Sequence, residues 1–136
     1  MEKVIVNGEN AILGRMSSFV AKELLKGKSV DVINSDKVII SGDGKVFAKK
    51  IKEKRDMGSG GSLKGPKYSR VEDRLLKRII RGMLPRDRSK GREAFKRLKC
   101  HIGNESVSLE GKEVKTFEHR RPRKYSTMTQ IVRMLK

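Results

Sequence analysis

Cysteine occurs once in this chain, as Cys100, so no internal disulfide can form. That usage suits a reducing compartment. Long apolar runs are missing as well. Val4-Ile5-Val6 and Val38-Ile39-Ile40 are typical, far short of the roughly 18 residues that cross a bilayer. The N-terminal stretch reaches the turn Asn7-Gly8 before a signal h-region could form, and Glu2 and Glu9 do not suit a transit peptide. A soluble cytoplasmic protein with no membrane partner is the expectation. Aromatics are scarce, with no Trp, two Tyr and four Phe. Neither the aromatic pair of an RRM nor a KH loop is present, and base stacking cannot be the main mode of holding nucleic acid.

The remaining shortage is of acidic residues. Asp and Glu number 16 against 34 Lys and Arg, for a net charge of +18 in 136 residues. Leu, Ile, Val and Phe make up 35 residues, about 26% of the chain, above the roughly 20% below which disorder is expected. One small-cored domain spanning residues 1–136 is therefore the expected organisation. The charge is concentrated. Residues 1–44 hold six basic and six acidic side chains, residues 45–100 hold twenty and six, and residues 101–136 hold eight and four. Any one lysine could be a solvated surface residue. A surplus of fourteen in one segment is the electrostatic footprint of a phosphate-backbone binder.

Periodicity predicts an α/β fold. Val4-Ile5-Val6 reads as a strand, Gly14 to Lys26 as a helix with Met16, Phe19, Val20 and Leu24 on one side, and Val30 to Ile33 as a second strand. Gly27 stands where a left-handed C′ residue ends the helix. Strand, helix, strand suggests a βαβ unit with a parallel pair, and Val38-Ile39-Ile40 reads as a third strand. Lys45 to Arg55 reads as a helix with Val46, Phe47 and Ile51 as its apolar side, opening a basic insertion and loop at about 45–70. Four glycines, Gly58, Gly60, Gly61 and Gly65, predict that residues 56–69 order only on RNA.

The most regular helix is Val71 to Met83. Val71, Leu75, Leu76, Ile79, Ile80 and Met83 fall in one half-circle, and Arg70, Arg74, Lys77, Arg78 and Arg81 in the other. Gly82 and Pro85 stop it. Ser89 to Lys99 reads as a shorter helix running into a strand near Leu98 to Ile102, and Glu110-Gly111-Lys112 as the tip of a surface hairpin. Thr127 with Gln130 forms a capping box, followed by Met128, Ile131, Val132 and Leu135 at helical spacing, so the last ten residues are a docked helix.

Enzyme chemistry finds no support. A phosphate loop counted from Gly60 reaches Gly65 but then meets Pro66 where lysine is needed. A dinucleotide fingerprint from Gly8 fails at Asn10. Cys100 and His101 are adjacent and point oppositely on a strand, and His119 is the only other soft ligand, so no metal site is expected. Cys100 is expected to be a buried small hydrophobe. A nucleotide-using α/β enzyme would need one of those loops intact. A DNA-bending protein would need a helix-turn-helix or a minor-groove wedge, and neither pattern appears. No cofactor and no small-molecule substrate are expected.

Backbone recognition of a large, pre-shaped RNA by Lys and Arg remains. Its candidates are Arg15, then Lys45, Lys49, Lys50, Lys54 and Arg55, then Lys64, Lys67 and Arg70. Further along they are Arg74, Lys77, Arg78 and Arg81, then Arg86, Arg88, Lys90, Arg92 and Arg97, and last Arg120, Arg121, Arg123 and Lys124.

Several segments resemble one known family. Residues 11–21, Ala-Ile-Leu-Gly-Arg-Met-Ser-Ser-Phe-Val-Ala, followed by Asn34-Ser35 and Ser41-Gly42, are similar to the opening of the large-subunit ribosomal protein L-thirteen family. Arg81-Gly82-Met83-Leu84-Pro85, then Gly91, Ala94 and Arg97-Leu98-Lys99, are similar to its central signature. The resemblance runs from about Lys3 to Gly103, and the long basic stretch with a compact tail resembles the archaeal members. It implies a three-layer α/β/α sandwich on a four-stranded parallel sheet ordered 3-2-1-4. It also implies a structural protein of the large ribosomal subunit that binds large-subunit rRNA, adjoins neighbouring ribosomal proteins and joins early in assembly.

Overall fold

The computed structural model describes residues 2–57, 65–105, 114–117 and 120–136. Its elements run β1 (Lys3–Asn7), α1 (Leu13–Leu25), β2 (Ser29–Ile33), β3 (Ile39–Ser41), α2 (Gly44–Asp56), α3 (Glu72–Arg81), α4 (Ser89–Lys96), β4 (Leu98–Cys100), β5 (Val114–Thr116), β6 (Tyr125–Thr127) and α5 (Met128–Leu135). The loop centre at 58–64 and the hairpin tip at 110–112 lie outside the described residues. So does His119.

Four strands form one parallel sheet in the order β4-β2-β1-β5, which is 3-2-1-4 counted over the sheet's own strands. The β1-α1-β2 start is the expected parallel unit, with Val4 opposite Val30 and Val6 opposite Val32. Val30 in turn faces Leu98. Because side chains alternate along a strand, these residues share one face, and that face carries the main core. The other face carries Ile5 and Ile33, with Val114 against them. With five helices packed around this sheet, the architecture is an α/β sandwich.

One strand sits elsewhere than its sequence position suggests. β3 pairs antiparallel with β6 in a separate two-stranded sheet, Ile39 opposite Thr127. The third place in the parallel sheet goes to β4, sixty residues further on. A three-residue strand leading into the β6–α5 corner has its hydrogen bonds taken there, and Met128 N–H also donates to Val38 O at 3.0 Å.

Helix ends follow local chemistry. Gly27 has φ +93° and closes α1, its N–H donating to Leu24 O at 3.1 Å. Asp43 caps α2 by accepting from Lys45 N–H at 3.0 Å. Thr127 and Gln130 form the predicted reciprocal box on α5, whose Met128, Ile131, Val132 and Leu135 are all buried. Asn34, in the left-handed region, ties strand ends together. Its N–H donates to Gly103 O and its side-chain amide to Asn7 Oδ1, both at 3.0 Å.

Candidate nucleic-acid interface

Helix α3 is the centre of the basic segment. Leu75, Leu76 and Ile80 have no exposure, and Glu72 and Asp73 in the first turn suit its dipole. The apolar face is narrower than the sequence pattern predicts. Val71 and Met83 are 39% and 42% exposed, because α3 begins only after Val71 and ends at Arg81, where a turn places Leu84, not Met83, in the core. Ile79 is half-buried and Val46, on α2, is exposed. The turn itself is fixed by Gly91, where a side chain would run into the Pro85 carbonyl. Arg92 then donates to the carbonyls of Arg86 and Asp87 at 3.2 and 3.1 Å.

The cationic face of α3 is not a bare row. The Arg78 guanidinium lies over the Tyr68 ring at 4.1 Å and the Lys77 ammonium over Phe95 at 4.9 Å, so each charge rests on an aromatic face. Arg74 is exposed and Arg81 half-buried. Burial, followed by the neighbouring charges of Arg78 and Arg86, pushes the Arg81 guanidinium below its ordinary range.

These side chains border three depressions. A groove of about 350 Å³ between α2 and α3 has Phe47, Ile51, Tyr68 and Ile79 inside and Lys50, Lys54, Arg78 and Arg81 around it. A cleft of about 210 Å³ is edged by Lys67, Arg74, Lys77, Arg78 and Arg81 against Phe95. A third, of about 250 Å³, joins Arg74 and Lys77 to Lys99, Cys100 and His101.

Ion pairing is uneven along the chain. Among the described residues, Lys3, Lys26, Lys28 and Lys124 pair with carboxylates, as does His101 in geometry. No described Lys or Arg of residues 45–100 does. Glu23, only 10% exposed, shows what an engaged carboxylate looks like here. Lys28 and Lys26 at 2.9 and 3.1 Å hold it below the usual range.

The remaining candidates spread out. Lys45, Lys49, Lys67, Arg70, Arg86, Arg88 and Lys90 are exposed, Arg92 is exposed but bonded to its own turn, and Arg55 is half-buried. Arg15 is exposed on the first turn of α1, and Lys64 lies outside the described residues. Arg120, Arg121, Arg123 and Lys124 are exposed, but Arg121 donates to Asn10 Oδ1 at 2.9 Å and Lys124 meets Asp43 at 3.5 Å. Arg97 has an internal task. Its guanidinium donates to Leu24 O and Lys28 O, the latter at 3.2 Å, closing the C-terminus of α1. Sequence reasoning missed Lys99, Tyr68 and Phe95 as parts of this surface. Lys99 lay within the charge excess, but nothing local marks the two rings.

Among the described residues no His, Cys, Asp or Glu group could hold a metal. Cys100 is half-buried, and desolvation pushes its thiol up to about 12, as suits an inert packing residue. No helix among the described residues is long and apolar enough to cross a membrane.

A family model described as Ribosomal protein L13 matches residues 1–107. Similar curated proteins are each named large ribosomal subunit protein uL13. That of Methanosphaera stadtmanae is 40% identical over 121 residues, covering 88% of this chain and 84% of the relative. That of Archaeoglobus fulgidus is 37% identical, covering 96% and 86%. The Methanococcus maripaludis protein is 42% identical, covering 79% and 80%.

Proposed function

Because the chain belongs to the ribosomal protein L13 family, we propose that it is a structural constituent of the large ribosomal subunit, in the cytoplasm, holding rRNA by its phosphate backbone. As a member of a ribosomal protein family it is a structural component and not an enzyme. One observation carries the finer reading: among the described residues no Lys or Arg of residues 45–100 has a carboxylate partner, whereas Lys3, Lys26, Lys28 and Lys124 of the flanking segments do. Residues 45–100 carry a surplus of fourteen positive charges, and a polyanion is what removes that repulsion. Residues 1–136 act as one rRNA-binding domain with neighbouring large-subunit proteins at its edges.

The contact set centres on Lys67, Arg70, Arg74, Lys77, Arg78, Arg81, Arg86 and Arg88, supported by Lys45, Lys49, Lys50 and Lys54 on α2. Arg97 is left out, since its donors are already used. Eight phosphate contacts give log K against log salt a slope of roughly −6 to −7. Filter binding to large-subunit rRNA fragments across a salt series measures it. A slope near −2 would leave most of this charge merely solvated. Early entry into assembly is part of the same proposal. In reconstitution from purified rRNA the protein should bind before most others are present, and binding only to late particles refutes this.

A further inference from the structure

Backbone binding explains the rim of the α2–α3 groove but not its interior. Phe47, Ile51 and Ile79 give it an apolar floor in the most cationic part of the molecule. Phosphate gains nothing from such a floor, and a carboxylate-rich surface would leave it uncovered. The wall is more specific. Arg78 packs over Tyr68 at 4.1 Å, so a ring and a guanidinium plane are held together before any ligand arrives, the two surfaces on which unstacked bases lie. Lys50 and Lys54 stand on the α2 side, and Arg81 on the α3 side, none with an ion-pair partner among the described residues. No carboxylate among the described residues lines the groove. Its volume of about 350 Å³ is at the small end of the range for organic ligands, enough for a nucleobase with part of its sugar and far too small for a duplex.

We propose that this groove takes one unstacked nucleotide of the bound RNA, its base on the Phe47–Ile79 floor against Tyr68 and its flanking phosphates on Lys54 and Arg81. The proposal rests on the RNA-backbone reading and adds a base-dependent contact to it. A nucleotide already out of its helix, at a bulge or loop, fits best, because no unpairing is then required. Cations on both sides of the floor match a strand that crosses the groove, with one phosphate before the base and one after. Crowding of Arg78, Arg81 and Arg86 strengthens the pull on those phosphates.

The composition supplies a clean probe. The chain has two tyrosines and no tryptophan, so a Tyr125→Phe background leaves Tyr68 as the only emitting residue. Two RNA strands of about ten nucleotides are compared at low salt, oligoadenosine and its counterpart with 1-deoxyribose at every position, which keeps the phosphates and 2′-hydroxyls but has no bases. Oligoadenosine should bind roughly tenfold tighter, as expected for one stacked base, and should quench Tyr68. The base-free strand should bind without quenching. Tyr68→Leu should close the affinity gap between the two strands, and Tyr68→Phe should restore it, with circular dichroism verifying both folds. Equal affinity for the two strands with no quenching overturns the inference, leaves the backbone reading standing and points to an apolar protein partner for the groove. Failure to bind either strand overturns both.

Discussion

Replacing Arg74, Arg78 and Arg81 together with Gln separates binding from folding on a single helix. Arg74 is exposed and its side chain makes no hydrogen bond, ion pair or ring contact among the described residues, so its change should alter stability by within about 0.5 kcal/mol. Arg78 loses its place over Tyr68, worth about 0.5–1 kcal/mol at such a site. Arg81 offsets part of that, since its charge is crowded by Arg78 and Arg86. The net cost should stay below about 1 kcal/mol. Binding should respond far more, because three phosphate contacts vanish. The salt slope should flatten by roughly 2 to 3, and affinity should fall tenfold or more. Ile80→Ala provides the opposite case. Ile80 has no exposure, and its truncation should cost about 2–5 kcal/mol while the folded fraction keeps the parental slope. Thermal melts beside filter-binding titrations at several salt concentrations read both effects. A triple variant that melts early and binds normally would refute the assignment, since these arginines would then be structural.

Arg97→Met should behave unlike its basic neighbours. It should destabilise by about 1–3 kcal/mol, because the carbonyls of Leu24 and Lys28 lose a charged donor, and the salt slope should not move. Gly91→Ala should destabilise by at least about 1–3 kcal/mol in denaturant titrations, as its new methyl meets the rigid Pro85 carbonyl. Glu23→Gln should lower stability at neutral pH. Lys28 and Lys26 depress the native carboxyl, so its contribution is present above the unfolded value of about 4.3 and disappears as pH falls through the lower native value. Parent and variant should therefore converge in acid, and a gap independent of pH would contradict the pairing. Cys100, with its thiol pushed up to about 12, should react slowly with iodoacetamide at pH 8 until denaturant is added.

Local chemistry alone specifies several parts of this protein. The β1-α1-β2 start, the end of α1 at Gly27 and the Thr127–Gln130 cap all follow from period and capping rules acting within a few residues. So does the location of the charge, because a surplus of fourteen over residues 45–100 does not depend on how the chain packs. The resemblance carried the strand order, which no local pattern encodes. Which partners distant segments find depends on the folded chain. β3 leaves the parallel sheet because β6 comes from the far end of the chain to pair with it. Arg97 becomes a structural residue because β4 lies beside β2, bringing its guanidinium to carbonyls about seventy residues earlier. Tyr68, isolated among loop residues in the sequence, joins Phe47 in a groove because α2 and α3, which both contact α5, border it from two sides. Charge can be counted along a chain, but whether a given cation is already satisfied depends on acceptors that only the folded backbone brings within reach.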